Sequence, residues 1–307
     1  MSQKTHIDWL AVRTQSEVSE VHEVVRRVFG RLGECVKFAY RPRGWQGYAT
    51  AADLLVADMH AGLIAYGGEN QRGWVHLSIS GKGCEWVGDW DTAQEELEGL
   101  ASLDYRRVDI ALDTVGQEVC HDSLVDAYRG GMFTTSGRPP KCNRIESERA
   151  EDGRTVYIGA RENDKFFRGY EKGKQLAAGT TMTHINGVSI EDMYRLELEL
   201  KAKSGALPFD LIDQRDQYFA GAYPYLQHVL RDVEPQIMVL DRRLAPHLDL
   251  ERRLETIRSM FGTTLFTALT VHQGDIGAVW ERICGHKHNE DLLRSGVLLA
   301  DLVDALS

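Results

Sequence analysis

The chain has 307 residues, 43% hydrophobic and 27% charged, which suits about two soluble domains of ~150 residues with a sizeable core. No run approaches the ~18 uncharged apolar residues of a transmembrane helix, the N-terminus has no signal-type apolar stretch, and five unpaired-looking cysteines fit a reducing cytoplasm, so membrane and secreted classes are excluded. The net charge of −10 argues against a nucleic-acid binder, because neutralising phosphates supplies that grip.

In chain order, residues 5–13 alternate as a strand, and Ser16 then caps a helix whose apolar positions Val18, Val21, Val25, Val28 and Leu32 recur every three or four residues until Gly33. Short strand-like runs follow at 35–41, 61–66 and 74–80, separated by glycine-rich turns. Residues 91–102 read as a helix and 107–113 as a strand. A second round repeats the rhythm: a helix at 122–129, a loop marked by Pro139-Pro140, then strands at 154–160, 165–172 and 193–201. Two β/α rounds with hairpin-length connections predict an α+β fold, a mainly antiparallel sheet with flanking helices. From about Pro208 helical spacing takes over. The expected organisation is an α+β domain over 1–205 and a helical domain over 206–307. Residues 208–307 hold ten Lys/Arg against fifteen Asp/Glu, half of the net negative charge.

Alternation along Arg195-Leu-Glu-Leu-Glu-Leu-Lys201 sends Leu196, Leu198 and Leu200 to the core and puts Glu197 and Glu199 on one face with Arg195 and Lys201. A solvated strand face would look the same. The strand Val108-Asp-Ile-Ala-Leu-Asp113 places Asp109 and Asp113 on a second acidic face, and two such strands side by side would cluster hard oxygen ligands suited to Mg²⁺ or Mn²⁺. At ~3.3 Å per residue, Asp113 is ~13 Å from Asp109, too far to share one ion. The candidate metal set is therefore Asp109, Glu197 and Glu199, with Asp113 and His76 as outside candidates.

Residues 138–174 carry ten basic and seven acidic residues, a balance of +3 inside an acidic protein. Tyr157, Phe166, Phe167 and Tyr170 interleave there with Arg154, Arg161, Lys165, Arg168, Lys172 and Lys174. Cations for phosphates and rings for unstacked bases suit single-stranded nucleic acid, though an amphipathic hairpin with core aromatics has the same composition.

The order Tyr157-Ile-Gly-Ala-Arg161, Arg168-Gly-Tyr-Glu-Lys172 and Arg195-Leu-Glu-Leu-Glu199 resembles the replication initiation factor family, the initiators of rolling-circle plasmids and filamentous phages. Arg107-Val-Asp-Ile-Ala-Leu-Asp113 and Gly73–Cys84 fit the same pattern, so the resemblance covers roughly 5–205. It implies a nickase-like fold and a metal-dependent endonuclease. A tyrosine attacks an origin phosphodiester, leaving a 5′-phosphotyrosyl link and a free 3′-hydroxyl that primes synthesis. By motif position Tyr170 is the nucleophile, with Tyr157 and Tyr194 as rival phenols. Arg168 and Lys172 would stabilise phosphate or phenolate. Arg154, Arg161, Lys165 and Lys174 would bind DNA, and Asp109, Glu197 and Glu199 would hold Mg²⁺ or Mn²⁺. The implied partner is origin DNA, single-stranded or in a hairpin, with a host helicase and a second protomer as further partners, in the cytoplasm. The alternative is a DNA-binding replication regulator of the same fold without the chemistry.

Other patterns fail on spacing. Gly169–Lys174 has three residues between its glycines, where a P-loop needs four followed by Lys-Ser/Thr. Cys284-Gly-His286-Lys-His288 reads as a helix end or loop and lacks the apolar residue between histidines that the wider nickase superfamily uses.

Overall fold

The computed structural model describes residues 3–115, 119–177, 183–185, 188–240 and 245–288. They form two compact units, one running to Lys203 and from Leu207 to Val239, the other comprising Ser204–Ala206 and the chain from Leu240.

In the first unit, β1 (His6–Thr14), α1 (Val18–Val28), β2 (Val36–Tyr40), β3 (Thr50–Val56), β4 (Met59–Tyr66) and β5 (Val75–Ile79) are followed by α2 (Gly81–Glu85) and α3 (Trp90–Glu98). Next come β6 (Asp104–Val115), α4 (His121–Arg129), β7 (Cys142–Ile145), β8 (Thr155–Gly159), β9 (Lys165–Tyr170), α5 (Lys172–Ala177) and the small hairpin β10 (His184–Ile185) and β11 (Val188–Ser189). Then β12 (Met193–Lys201), α6 (Arg215–Ala222) and α7 (Pro224–Val229) complete it. Ten strands make one antiparallel sheet, in the order β2-β3-β4-β5-β1-β6-β12-β9-β8-β7.

That order is the same path taken twice. From the central β1–β6 pair outward, one half reads β1, β5, β4, β3, β2 and the other β6, β12, β9, β8, β7. Each half has a helix after its first strand and two helices after its last. The sheet therefore consists of two topologically equivalent halves, with β6 opening the second; the mainly antiparallel α+β fold is as the sequence predicts.

Period-two alternation splits the sheet into two faces. One buries Leu10, Val12, Leu54, Ile64, Leu77, Ile110, Leu196, Leu198 and Phe167. α4 packs there so closely that a Cβ on Gly169 would lie 2.4 Å from Leu124 Cδ2. The other face is polar and carries the charged side chains of β1, β6, β9 and β12. Two bulges re-aim side chains on it. Asp8 is an extra residue between the Ile7–Ile110 and Trp9–Asp109 pairs, and Arg106 is an extra residue opposite Ala11 and Val12. α2 is seated by Gly83, where a Cβ would come within 2.2 Å of the Ala61 carbonyl oxygen.

The first unit continues past the boundary expected near 205. Asp216 on α6 accepts hydrogen bonds from the backbone N–H groups of Lys4 and Thr5, both at 2.8 Å, and from Thr5 Oγ1 at 2.7 Å. Arg215 Nε donates back to the Thr5 carbonyl at 3.2 Å. α6 is buried nearly all round, at Arg215, Asp216, Tyr218, Phe219, Ala220 and Ala222, so it lacks the one-sided spacing of a surface helix. The change to helices in the sequence is therefore not the change of unit.

The second unit contains α8 (Ala245–Val271) and α9 (Ile276–Ile283), joined by a turn in which Gln273 and Gly274 both have positive φ. Asp275 caps α9 by accepting from the Ala278 N–H at 3.1 Å. Cys284 to His288 form an exposed stretch after it, as expected of a helix end. Among the described residues, no helix is long and apolar enough to cross a membrane.

Candidate active site

The polar face is organised by the register of β12 with its neighbours. Arg195, Glu197 and Glu199 lie opposite Asp113, Ala111 and Asp109 on β6, and opposite Tyr170, Arg168 and Phe166 on β9. Across an antiparallel pair, opposed residues share a face. The three sequence motifs thus meet on one surface through backbone pairing alone.

Arg195 is the anchor. Only 6% exposed, its guanidinium grips both oxygens of Asp113 at 2.5 and 2.6 Å and reaches Asp8 at 2.7 Å. Two carboxylates hold it charged, and it stands directly opposite Tyr170 in the register. Burial pushes the Tyr170 phenol up to about 12, against the pull of Arg195 and Arg168. The Arg168 guanidinium lies 5.5 Å and the Lys172 ammonium 5.9 Å from the tyrosine ring. Three cations therefore surround a phenol that is protonated at neutral pH. Lys172 leaves the strand expected to run to 172 and begins α5, where burial and then Arg195 depress its pKa.

Strand parity separates the rival phenols. Tyr194 precedes Arg195 and so faces the apolar side, 3% exposed, where burial raises its pKa far above the usual range. Tyr157 shares the polar face but lies one strand further out, stacked on Phe166 at 5.7 Å with Arg161 over both rings.

The candidate metal ligands are brought onto one face but divided among cations. Arg107 binds both oxygens of Asp109, at 2.8 and 2.5 Å, and reaches Glu199 at 2.8 Å, while Lys201 also closes on Glu199. Arg168 pairs with Glu197. Among the described residues, no three His, Cys, Asp or Glu side chains form a cluster that could hold a metal ion. The donor chemistry nevertheless suits a hard cation. All donors are carboxylate oxygens, and Glu197 Oε2 is buried without a hydrogen-bond partner. Burial raises both Asp109, to about 7, and Glu197, so each is short of compensating positive charge. A metal would have to draw Asp109 and Glu199 away from Arg107. Asp113 is committed to Arg195, and His76 lies in the other half of the sheet.

The candidate DNA-binding cations are not brought together. Arg154 is held by Glu171 at 3.0 Å and Asp122 at 3.1 Å. Lys165 donates to the Ala222 carbonyl at 2.6 Å and lies 4.0 Å over the Tyr223 ring, with burial lowering its pKa to about 8. Arg161 rests on the Tyr157–Phe166 stack. Lys174 is half-exposed on α5. One member of the centre lies outside the sequence motifs: Asp8 reaches it through the β1 bulge. Arg107, the first residue of the β6 motif, serves two carboxylates, Asp109 on its own strand and Glu199 on β12. His6, 3.9 Å from Asp113, borders them.

The polar face of the ten-stranded sheet thus gathers Tyr170, the guanidiniums of Arg195, Arg168 and Arg107, and buried carboxylates. Residues 104–237 match the model of the family described as replication initiation factor, so the resemblance read in the motifs holds over the span carrying Asp109, Tyr170, Glu197 and Glu199. A solved structure, of the rolling circle replication initiator protein from Geobacillus stearothermophilus, is similar at 22% identity and a TM-score of 0.49, covering 64% of this chain and 74% of that one. No curated protein sequence matches the chain.

Proposed function

We propose that the protein initiates rolling-circle replication by nicking origin DNA through Tyr170. The observation that carries this reading is the register of Tyr170 opposite Arg195, with Arg168 beside it, on a face whose carboxylates are buried. A phenol is a poor nucleophile at pH 7 and must lose its proton as it attacks. The phenol proton passes to water as the oxygen attacks. Tyr170 Oη bonds to phosphorus, the bond from phosphorus to the 3′ oxygen breaks, and that oxygen takes up a proton from water to become a free 3′-hydroxyl. Arg168 and Lys172 are placed to offset charge on the phosphate and the developing phenolate. Asp109, Glu197 and Glu199 would hold Mg²⁺ or Mn²⁺, which when bound would neutralise charge on the scissile phosphate.

The test is a denaturing gel after incubating the protein with Mg²⁺ or Mn²⁺ and supercoiled or single-stranded DNA carrying the region beside its own gene. The wild type should yield a protein–DNA adduct and Tyr170→Phe none, whereas Tyr157→Phe should retain it. Absence of any adduct or nick from the wild type would leave the non-catalytic regulator as the better reading.

A further inference from the structure

The half of the sheet built from β1–β5 carries its own group on the polar face. Trp45, in the β2–β3 loop, stacks on His76 at 4.9 Å between ring centroids. Tyr48 lies 6.4 Å from Trp45 and 6.1 Å from His76, and the Arg13 guanidinium sits 4.3 Å over the Trp74 ring. Trp45 and Tyr48 rest on a floor of Ala51, Leu63 and Ala65. All four rings are partly exposed. His76 pairs with Arg13 on β1 and Ala65 on β4, and unbroken alternation from Arg13 through Ala11 to Trp9 puts the group on the face of Asp109.

Two features set this group apart from core packing. The rings lie on the polar face over Ala51, Leu63 and Ala65, and a guanidinium is stacked on one of them. Burial lowers His76 to about 4, so at neutral pH it is a flat uncharged ring. Trp9, with Arg107 at 4.9 Å, stands between this group and the tyrosine centre. His76 lies level with Asp104 and Tyr170 level with Asp113 on β6, ~30 Å apart along the strands, and four inter-strand steps of ~4.8 Å separate β5 from β9, so the two groups stand ~35 Å apart on the same face.

We propose that Trp45, Tyr48, Trp74 and Arg13 form a base-stacking subsite that holds unpaired nucleotides of the strand cut at Tyr170. The proposal rests on the nickase reading for the identity of the strand. Stacking needs no particular base, because every base presents a π-face, and it does not draw on net positive charge. It therefore suits a chain whose balance is −10.

The test is fluorescence anisotropy of the full-length protein with fluorescein-labelled oligothymidine and with an abasic oligodeoxynucleotide of the same length. Trp45→Ala should weaken oligothymidine binding by about ten-fold or more, the scale of one lost stacking contact, while Trp45→Phe stays close to wild type. On the abasic strand the Trp45→Ala defect should vanish. Oligothymidine binding by Trp45→Ala within about two-fold of wild type, or an equal loss on both strands, would overturn the subsite. Should Trp45→Ala melt early, Trp74→Ala is read by the same criteria. The two readings fail separately: without nicking, the wild type forms no adduct yet the Trp45→Ala defect persists, and without the subsite, adduct forms and Trp45→Ala binds normally.

Discussion

Strands β1, β5, β4, β3 and β2 repeat the path of β6, β12, β9, β8 and β7, yet the two halves present opposite chemistry on their shared polar face. The second half holds a lattice of charges in which Arg195, Arg168 and Arg107 each bind a carboxylate around Tyr170. The first half holds rings, with Trp45, Tyr48, Trp74 and His76 over alanine and leucine. Strand order fixes where a side chain stands on such a sheet; the chemistry at each place is left to the residues. One backbone plan can thus supply both a reactive centre and a surface that only holds.

The comparison breaks most readily at Tyr170. Tyr170→Phe should lower nicking by more than about 10³-fold, as loss of a nucleophile does, with an unchanged thermal melt. An equal loss from Tyr48→Phe in the other half would erase the distinction. The next largest effect is on stability. Arg195→Gln leaves Asp8 and Asp113 facing each other without their shared cation, and should cost about 3–5 kcal/mol in urea unfolding, the range for breaking a buried ion pair. Trp45→Phe, which removes no charge partner, should leave the unfolding midpoint near that of the wild type.

The halves should also answer pH in opposite senses. Asp109 has a folded pKa raised to about 7 from 3.8, so the folded state binds the extra proton and this contribution to stability is lost as pH rises from about 4 to 7. His76 has a folded pKa lowered to about 4 from 6.5, so its contribution is present above 6.5 and is lost as pH falls toward 4. Thermal melts of Asp109→Asn and His76→Gln between pH 4 and 7 should deviate from wild type with opposite slopes; parallel slopes would refute the contrast. The smallest effect is expected at Arg154. Its guanidinium is already taken by Glu171 and Asp122, so Arg154→Ala should change oligonucleotide affinity by less than about three-fold and leave the salt slope nearly unchanged.

The central strands were legible because their pattern is strict. Leu196, Leu198 and Leu200 against Glu197 and Glu199 declare both the strand and its faces, and the Asp109 strand does the same. β3 was not legible, since Thr-Ala-Ala-Asp-Leu-Leu-Val offers little β-branched character and its pairing with β4 decides the outcome. Asp8 was hidden for a different reason: a bulge breaks the alternation from which faces are read. The partners of Arg154 and Lys165 were equally out of reach, because a cation's sequence position does not say which carboxylate or carbonyl folds against it. The acidic balance is clearer in three dimensions, where Arg195 and Arg107 each serve two carboxylates of the centre and Arg168 a fifth.

β1 lies at the middle of the sheet although it is synthesised first. Its hydrogen-bonding edges are satisfied by β5 and β6, and the latter ends only at Val115. At about 5–20 residues per second on the ribosome, the strand that supplies Asp8 and Arg13 waits several seconds with open edges. Nascent-chain protection from proteolysis should therefore appear in one step after β6 emerges, and slowing translation between β5 and β6 should raise aggregation more than slowing it within the second half.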